Sequence, residues 1–233
     1  MSLPYLATMI PGLESEVVFF ITPAGHQALL SASGRVASML ERGQEPKLDS
    51  QIDDARCCGR GGLSLVGSVA VVEVAGPVIA SMSRCQAEMW GCTSQDALAH
   101  TLRRVRDDAN VKGVALKLDC PGGSAPGSEE LIGLVAEIAA KKPMAAVVGT
   151  CATSLAAFLS AACREVVASQ NAVIGSIGEV MNLVDSSKAF EMAGLKAHAV
   201  TEQRLKPVGA PGVPITQEMI DNIAALVRDQ IEP

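Results

Sequence analysis

The chain has 233 residues, of which 48% are hydrophobic and 19% charged, a balance that excludes a disordered chain and suffices to bury a core without metal or disulfide staples. Aromatic residues supply only 3%, so that core has to be built from Ala, Val, Leu and Ile. A formal net charge of -6, with no basic run, excludes nucleic-acid phosphate binding as the main activity, and no nucleic-acid partner is expected.

The seven cysteines, Cys57, Cys58, Cys85, Cys92, Cys120, Cys151 and Cys163, are odd in number and never paired as C-x-x-C, so they read as free thiols of a reducing compartment. Cys57 and Cys58 are adjacent, but the three histidines lie far apart in sequence and no ligand set assembles; no metal and no cofactor are expected.

Residues 1–23 lack the basic start, apolar core and small-residue cleavage site of a secretory signal, and Glu14 and Glu16 interrupt them, so a cytoplasmic location is expected. Residues 1–62 read as an N-terminal arm and linker, with an amphipathic helix over 26–42 carrying Leu29, Leu30, Val36 and Leu40. Residues 63–233 read as the main domain. A strand over 69–74 opens it, then a helix capped by Thr93 or Ser94 with Leu98, Leu102 and Val105 on one face. Next come a strand over 111–119, a Pro121-Gly122-Gly123 breaker, and a helix from Ser128 that buries Leu131, Leu134, Val135 and Ile138.

Residues 143–163 carry no charge and are long enough for a membrane span, but Pro143, Gly149, Thr150, Thr153, Ser154 and Ser160 divide them into a strand over 144–148, a turn and a helix over 154–163. No membrane partner is expected. The alternation continues with a strand over 165–168, a turn at 174–178, a helix over 186–193, a strand over 196–200, a Pro- and Gly-rich stretch over 207–214, and a last helix from about Thr216. Alternating strands and helices predict an α/β fold of repeated parallel β-α-β units.

In parallel sheets ligands bind beyond the carboxyl ends of the strands, which directs attention to the loops after Leu118 and Val148. Gly122 and Gly123 offer backbone N–H groups to a ligand, as an oxyanion hole requires; the competing reading is a plain strand-to-helix turn. Ser154 stands at a helix start, where the dipole favours a developing oxyanion and an exposed hydroxyl can act as nucleophile; the competing reading is an ordinary N-cap. His26, His100 and His198 are poor bases, since one lies in the arm, one in a helix and one in a predicted strand with no carboxylate to orient it. A lysine serves as base if burial disfavours its charged form, and Lys206, between Leu205 and Pro207, has the surroundings for that; Lys112, Lys141, Lys142 and Lys188 read as solvated charges.

Asp119-Cys120-Pro121-Gly122-Gly123-Ser124, Ser154-Leu155-Ala156-Ala157-Phe158 with Ser160-Ala161-Ala162, Gly175-Ser176-Ile177-Gly178, and Lys206 ahead of Pro214-Ile215-Thr216 stand in one order along the chain. In that order and spacing, from about Val69 onward, the chain resembles the signal peptide peptidase A family of serine proteases, most of all the short prophage members that include phage head maturation proteases. Leu155 stands where the family usually has Gly or Ala, Cys120 where Ser is common, and Arg164 where Asp often follows.

The resemblance implies a crotonase-like (Clp-protease-like) fold and a Ser-Lys dyad that needs neither ATP nor metal. It implies Ser154 as nucleophile, Lys206 as general base, Ser176 orienting the lysine amine, and the N–H groups of Gly122, Gly123 and Leu155 holding the oxyanion. It also implies a polypeptide substrate, for the phage members scaffold or capsid protein inside a procapsid, and assembly into a homo-oligomer. Two other readings stay open: a catalytically inactive scaffolding relative, and an acyl-CoA enzyme that uses paired amides on the same fold.

Overall fold

The computed structural model describes residues 62–229 and the short strand β1 (Phe19–Ile21). The expected helix over 26–42, Cys57, Cys58 and His26 lie outside the described residues.

The main sheet is built from β2 (Leu63–Val66), β3 (Val69–Ala75), β6 (Gly113–Cys120), β8 (Met144–Thr153), β9 (Glu165–Ala168) and β10 (Val173–Gly175). Its order is β10-β8-β6-β3-β2 with β9 also on β8, and every pairing is parallel except the β2–β3 hairpin. Period-two patterning decides which faces are covered: Ala70, Val72 and Val74 of β3 and Val114, Leu116, Leu118 and Cys120 of β6 point into the core.

Helices α2 (Gln95–Asp107) and α3 (Ser128–Lys141) cover that face. Ser94 caps α2, its hydroxyl accepting from the Ala97 N–H at 3.3 Å, and the face carrying Leu98, Leu102 and Val105 is buried. In α3, Glu129 and Glu130 in the first turn and Lys141 in the last complement the helix dipole, while Leu131, Leu134, Val135 and Ile138 are buried as the pattern predicts.

A second, smaller sheet has the order β1-β7-β4-β5, with β4 (Val78–Ile79), β5 (Thr93–Ser94) and β7 (Gly122–Ser124) parallel and β1 antiparallel to β7. Sequence patterning missed this sheet because its strands are only two or three residues long. It also missed α1 (Arg84–Trp90), although the reciprocal Ser83–Gln86 capping box and Gly91 at φ 68° mark both ends.

Three boundaries differ from expectation. The strand expected to end at Val148 runs on to Thr153, because β6 and β8 re-pair past a bulge, with Cys120 opposite Ala152. The turn expected at 174–178 begins instead inside β10, which continues the ladder by pairing Gly175 with Thr153. The Pro121-Gly122-Gly123 breaker gives way to β7, since Gly123 alone permits the approach of β4: a Cβ there would sit 2.1 Å from the Val78 carbonyl oxygen.

The predicted strand over 196–200 does not form. Among the described residues, 196–200 have no neighbouring strand to bury against, and Val200 is 99% exposed. The uncharged stretch 143–163 divides between β8 and helix α4 (Leu155–Ala161), and no helix among the described residues is long and apolar enough to cross a membrane. Beyond Ala162 burial falls away: all four residues of β9 are exposed, α5 (Ser187–Met192) buries none, and α6 (Gln217–Asp229) buries only Met219.

Candidate active site

Ser154 links β8 to α4 with φ 55° and ψ -122°, a backbone conformation that ordinarily belongs to glycine in a tight turn. Its backbone is clamped on both sides. The N–H donates to the Gly175 carbonyl at 2.8 Å, and its own carbonyl accepts from the Ala157 and Phe158 N–H groups at 2.9 and 3.3 Å. The N-cap reading fails here, because the side chain makes no capping hydrogen bond. Its Oγ is buried, the residue only 2% exposed, and has no hydrogen-bond partner among the described residues. A strained serine on a sharp strand-to-helix turn is how hydrolases present a nucleophile, and strain of about 1–3 kcal/mol persists only where the surroundings over-determine it.

The other sequence-predicted residues divide into two groups. Gly122 and Gly123 form β7, against which α4 packs, and Gly122 sits at φ 120°. Leu155 is fully buried in the core cluster, so its isobutyl group packs away from the surface and only its backbone faces the turn it opens. Ser176 directly follows the Gly175 that holds Ser154, is exposed, and itself has φ 52°. These five residues share the carboxyl-terminal end of the sheet. Lys206 makes no hydrogen bond to Ser154: its side chain is exposed, and the Ser154 hydroxyl has no partner among the described residues. The expected burial of Lys206 is therefore not realised in the single chain.

Lys206 rides on a segment attached to its neighbours rather than to the core. The Ile215 N–H donates to the Asp185 carboxylate at 3.0 Å, the Gly212 N–H to the Ser186 hydroxyl at 2.8 Å, and the Phe190 ring lies so close to Gly212 that a Cβ there would come within 2.5 Å of it. Asp185 is held below the usual carboxylate range, first by the Ser187 hydroxyl and then by the Ile215 N–H.

Sequence reasoning missed the groups that brace the site. The Thr150 hydroxyl bonds the Asp119 carboxylate across the ends of β8 and β6, and the Ser124 hydroxyl accepts from the Ala80 N–H at 3.1 Å. Only the adjacency of those strands, invisible in the linear order, could have paired them. Thr153 Oγ1 is a second buried hydroxyl without a partner among the described residues. The thiols beside the site are poor nucleophiles: burial pushes Cys120 up to about 12, and burial and then Asp119 push Cys151 up as well. His100 and His198 are both exposed and far from serving as a base for a buried hydroxyl.

Residues 136–231, which include Ser154, Ser176 and Lys206, match the family model described as Peptidase family S49. Over this region the chain is similar to peptidase family S49. The chain is 31% identical over 52% of its length to a Methanocaldococcus jannaschii protein named as a protease. It is 26% identical over 72% to the head-tail preconnector protein GP5 of Enterobacteria phage P21, and 32% identical over 61% to Protease 4 of Haemophilus influenzae. The matched stretches span 39%, 34% and 22% of those relatives' lengths. Among solved structures it is similar to an enoyl-CoA hydratase/isomerase family protein from Silicibacter pomeroyi, with 18% identity, 74% of this chain and 84% of that chain covered, and a TM-score of 0.39. The S49 match begins at residue 136, so Gly122 and Gly123 lie outside it.

Proposed function

We propose that the chain is an ATP-independent serine endopeptidase whose residues 63–233 form the catalytic domain and residues 1–62 an appended arm. The observation that carries this reading is Ser154: a strained, clamped turn that holds a buried hydroxyl free of any structural hydrogen bond, beside a strand of two glycines. A purely structural serine has no need of such strain.

In this reading Ser154 Oγ attacks a peptide carbonyl carbon while its proton passes to the neutral amine of Lys206. The N–H groups of Gly122, Gly123 and Leu155 stabilise the oxyanion, and Ser176 orients the amine. Collapse breaks the C–N bond as the lysine returns the proton to the leaving amine. A water then gives its proton to Lys206 and its hydroxyl to the acyl carbon, and as the ester C–O bond breaks the lysine returns that proton to Ser154 Oγ, which restores both groups. No metal or cofactor enters the scheme.

The dyad closes when the segment bearing Lys206 swings onto the core, and assembly into a homo-oligomer is the event we assign to that closure. Support comes from the apolar side chains left in solvent on that half, among them Val166, Val167, Val173, Ile174, Ile177 and Val180. Similarity to a phage head-tail preconnector protein supports a scaffold or capsid polypeptide as substrate and a procapsid or cytoplasmic site of action.

The test is labelling with a fluorophosphonate together with cleavage of a denatured protein substrate. Ser154→Ala and Lys206→Ala should each lose about a thousandfold or more of the cleavage rate, with circular dichroism unchanged. Undiminished cleavage in either variant removes the dyad, and wild-type protein that neither cleaves nor labels at Ser154, with or without its arm displaced, would favour the inactive scaffolding relative.

A further inference from the structure

The glycine strand β7 has two edges. One is taken by β4, where Val78 pairs with Gly123. The other is taken by the chain itself: β1 runs antiparallel along it, with Phe19 opposite Ser124, Phe20 opposite Gly123 and Ile21 opposite Gly122. An extended peptide that adds its backbone beside Gly122 and Gly123 has only this second edge to use. Substrate and β1 therefore compete for the same hydrogen-bonding track. The sequence suits the purpose, since Val17-Val18-Phe19-Phe20-Ile21 is a β-branched and aromatic run in a chain that has only four phenylalanines.

We propose that residues 19–21 are an intramolecular blocking strand, an internal pseudo-substrate that occupies the peptide track of β7 and must leave before cleavage begins. The inference rests on the peptidase reading of Ser154, α4 and β7 above. Tethering favours the block: a segment on the same chain acts at an effective concentration on the millimolar scale, so a free peptide competes poorly until the arm is displaced or removed.

Antiparallel strands point alternate residues toward a given neighbour, so either Phe20 or both Phe19 and Ile21 donate toward β7. The double variant Phe20→Pro, Ile21→Pro thus deletes at least one ladder donor in either case and leaves the main sheet untouched. In the full-length chain this variant should label at Ser154 at least about tenfold faster than wild type, as expected when a tethered competitor is lost. The amides of Gly122, Gly123 and Ser124 should exchange with solvent deuterium faster than in wild type. A synthetic peptide of residues 14–26 added at millimolar concentration should slow both again, and a scrambled peptide should not. A retained wild-type melting transition verifies that the variant is folded.

Equal exchange at β7 in the two proteins overturns the docking of β1. Faster exchange with an unchanged labelling rate overturns the block, because the strand then leaves without freeing the site. Absence of labelling in both proteins overturns the peptidase reading itself, and with it anything for the strand to inhibit.

Discussion

The segment from β3 to α4 and the segment from β9 to α6 come from one continuous β-α-β pattern, yet they reach very different degrees of burial. In the first, every second strand residue and one face of each long helix are sealed in a single core cluster. In the second, β9 is exposed throughout and two helices contribute one buried residue between them. The proposed nucleophile sits on the first segment and the proposed base on the second. A strained residue needs a rigid frame, and the buried half supplies one; a group that must reach that residue only when substrate and assembly are ready is better carried on the half that is loosely attached.

Core truncation tests this contrast with the largest expected effect. Leu116→Ala, at a fully buried position of β6, should lower unfolding free energy by about 2–5 kcal/mol in urea titrations. Val167→Ala on β9, half exposed, should change it by less than about 0.5 kcal/mol at low protein concentration. If the cost of Val167→Ala grows with protein concentration, a second copy covers that face and the contrast belongs to the monomer alone.

Alkaline titration should strike the buried half next. Burial raises the Cys92 and Cys120 thiols from 9.0 to about 12, so the folded state holds those protons more tightly than the unfolded chain. The sign follows from that: their contribution to stability is fully present below pH 9 and is lost as pH rises toward 12. Thermal melts from pH 8 to 11 should show a falling transition temperature, and the Cys92→Ala, Cys120→Ala variant should flatten the fall. No cysteine lies beyond Cys163, so the exposed half offers no thiol to the same titration. A slope that survives the double substitution would assign the effect to other groups.

The legibility of the sequence follows the same divide. Where a strand or helix buries one face, as in β3, β6, α2 and α3, residue periodicity reports the burial directly and the elements fall where the pattern puts them. Where pairing rather than burial makes the element, the pattern is silent: β4, β5 and β7 are too short to show a period, and the extension of β8 to Thr153 depends on a register with β6 and β10. Val200 shows the converse, a β-forming residue with no strand to join. At the site, the motif order pointed to Ser154, Leu155, Ser176 and the two glycines, which share one end of the sheet, and to Lys206, which is exposed and makes no hydrogen bond to Ser154. The φ of 55° that separates a presented hydroxyl from a helix cap is a tertiary fact, imposed by the Gly175 carbonyl and the first turn of α4.

That φ also yields the smallest of the expected effects. An ordinary buried serine holds the fold through its hydroxyl, and its replacement by alanine costs stability. Ser154 Oγ has no partner, so Ser154→Ala should leave the protein as stable or raise its unfolding free energy by about 1 kcal/mol, because an unpaired polar group leaves the interior. Alanine keeps the strained backbone, whereas glycine tolerates a positive φ, so Ser154→Gly should gain about 1 kcal/mol beyond alanine. Urea titrations of the three proteins separate the two contributions. A Ser154→Ala variant less stable than wild type would make the hydroxyl a structural group, and the rigid half of the molecule would then carry a brace where a nucleophile has been placed.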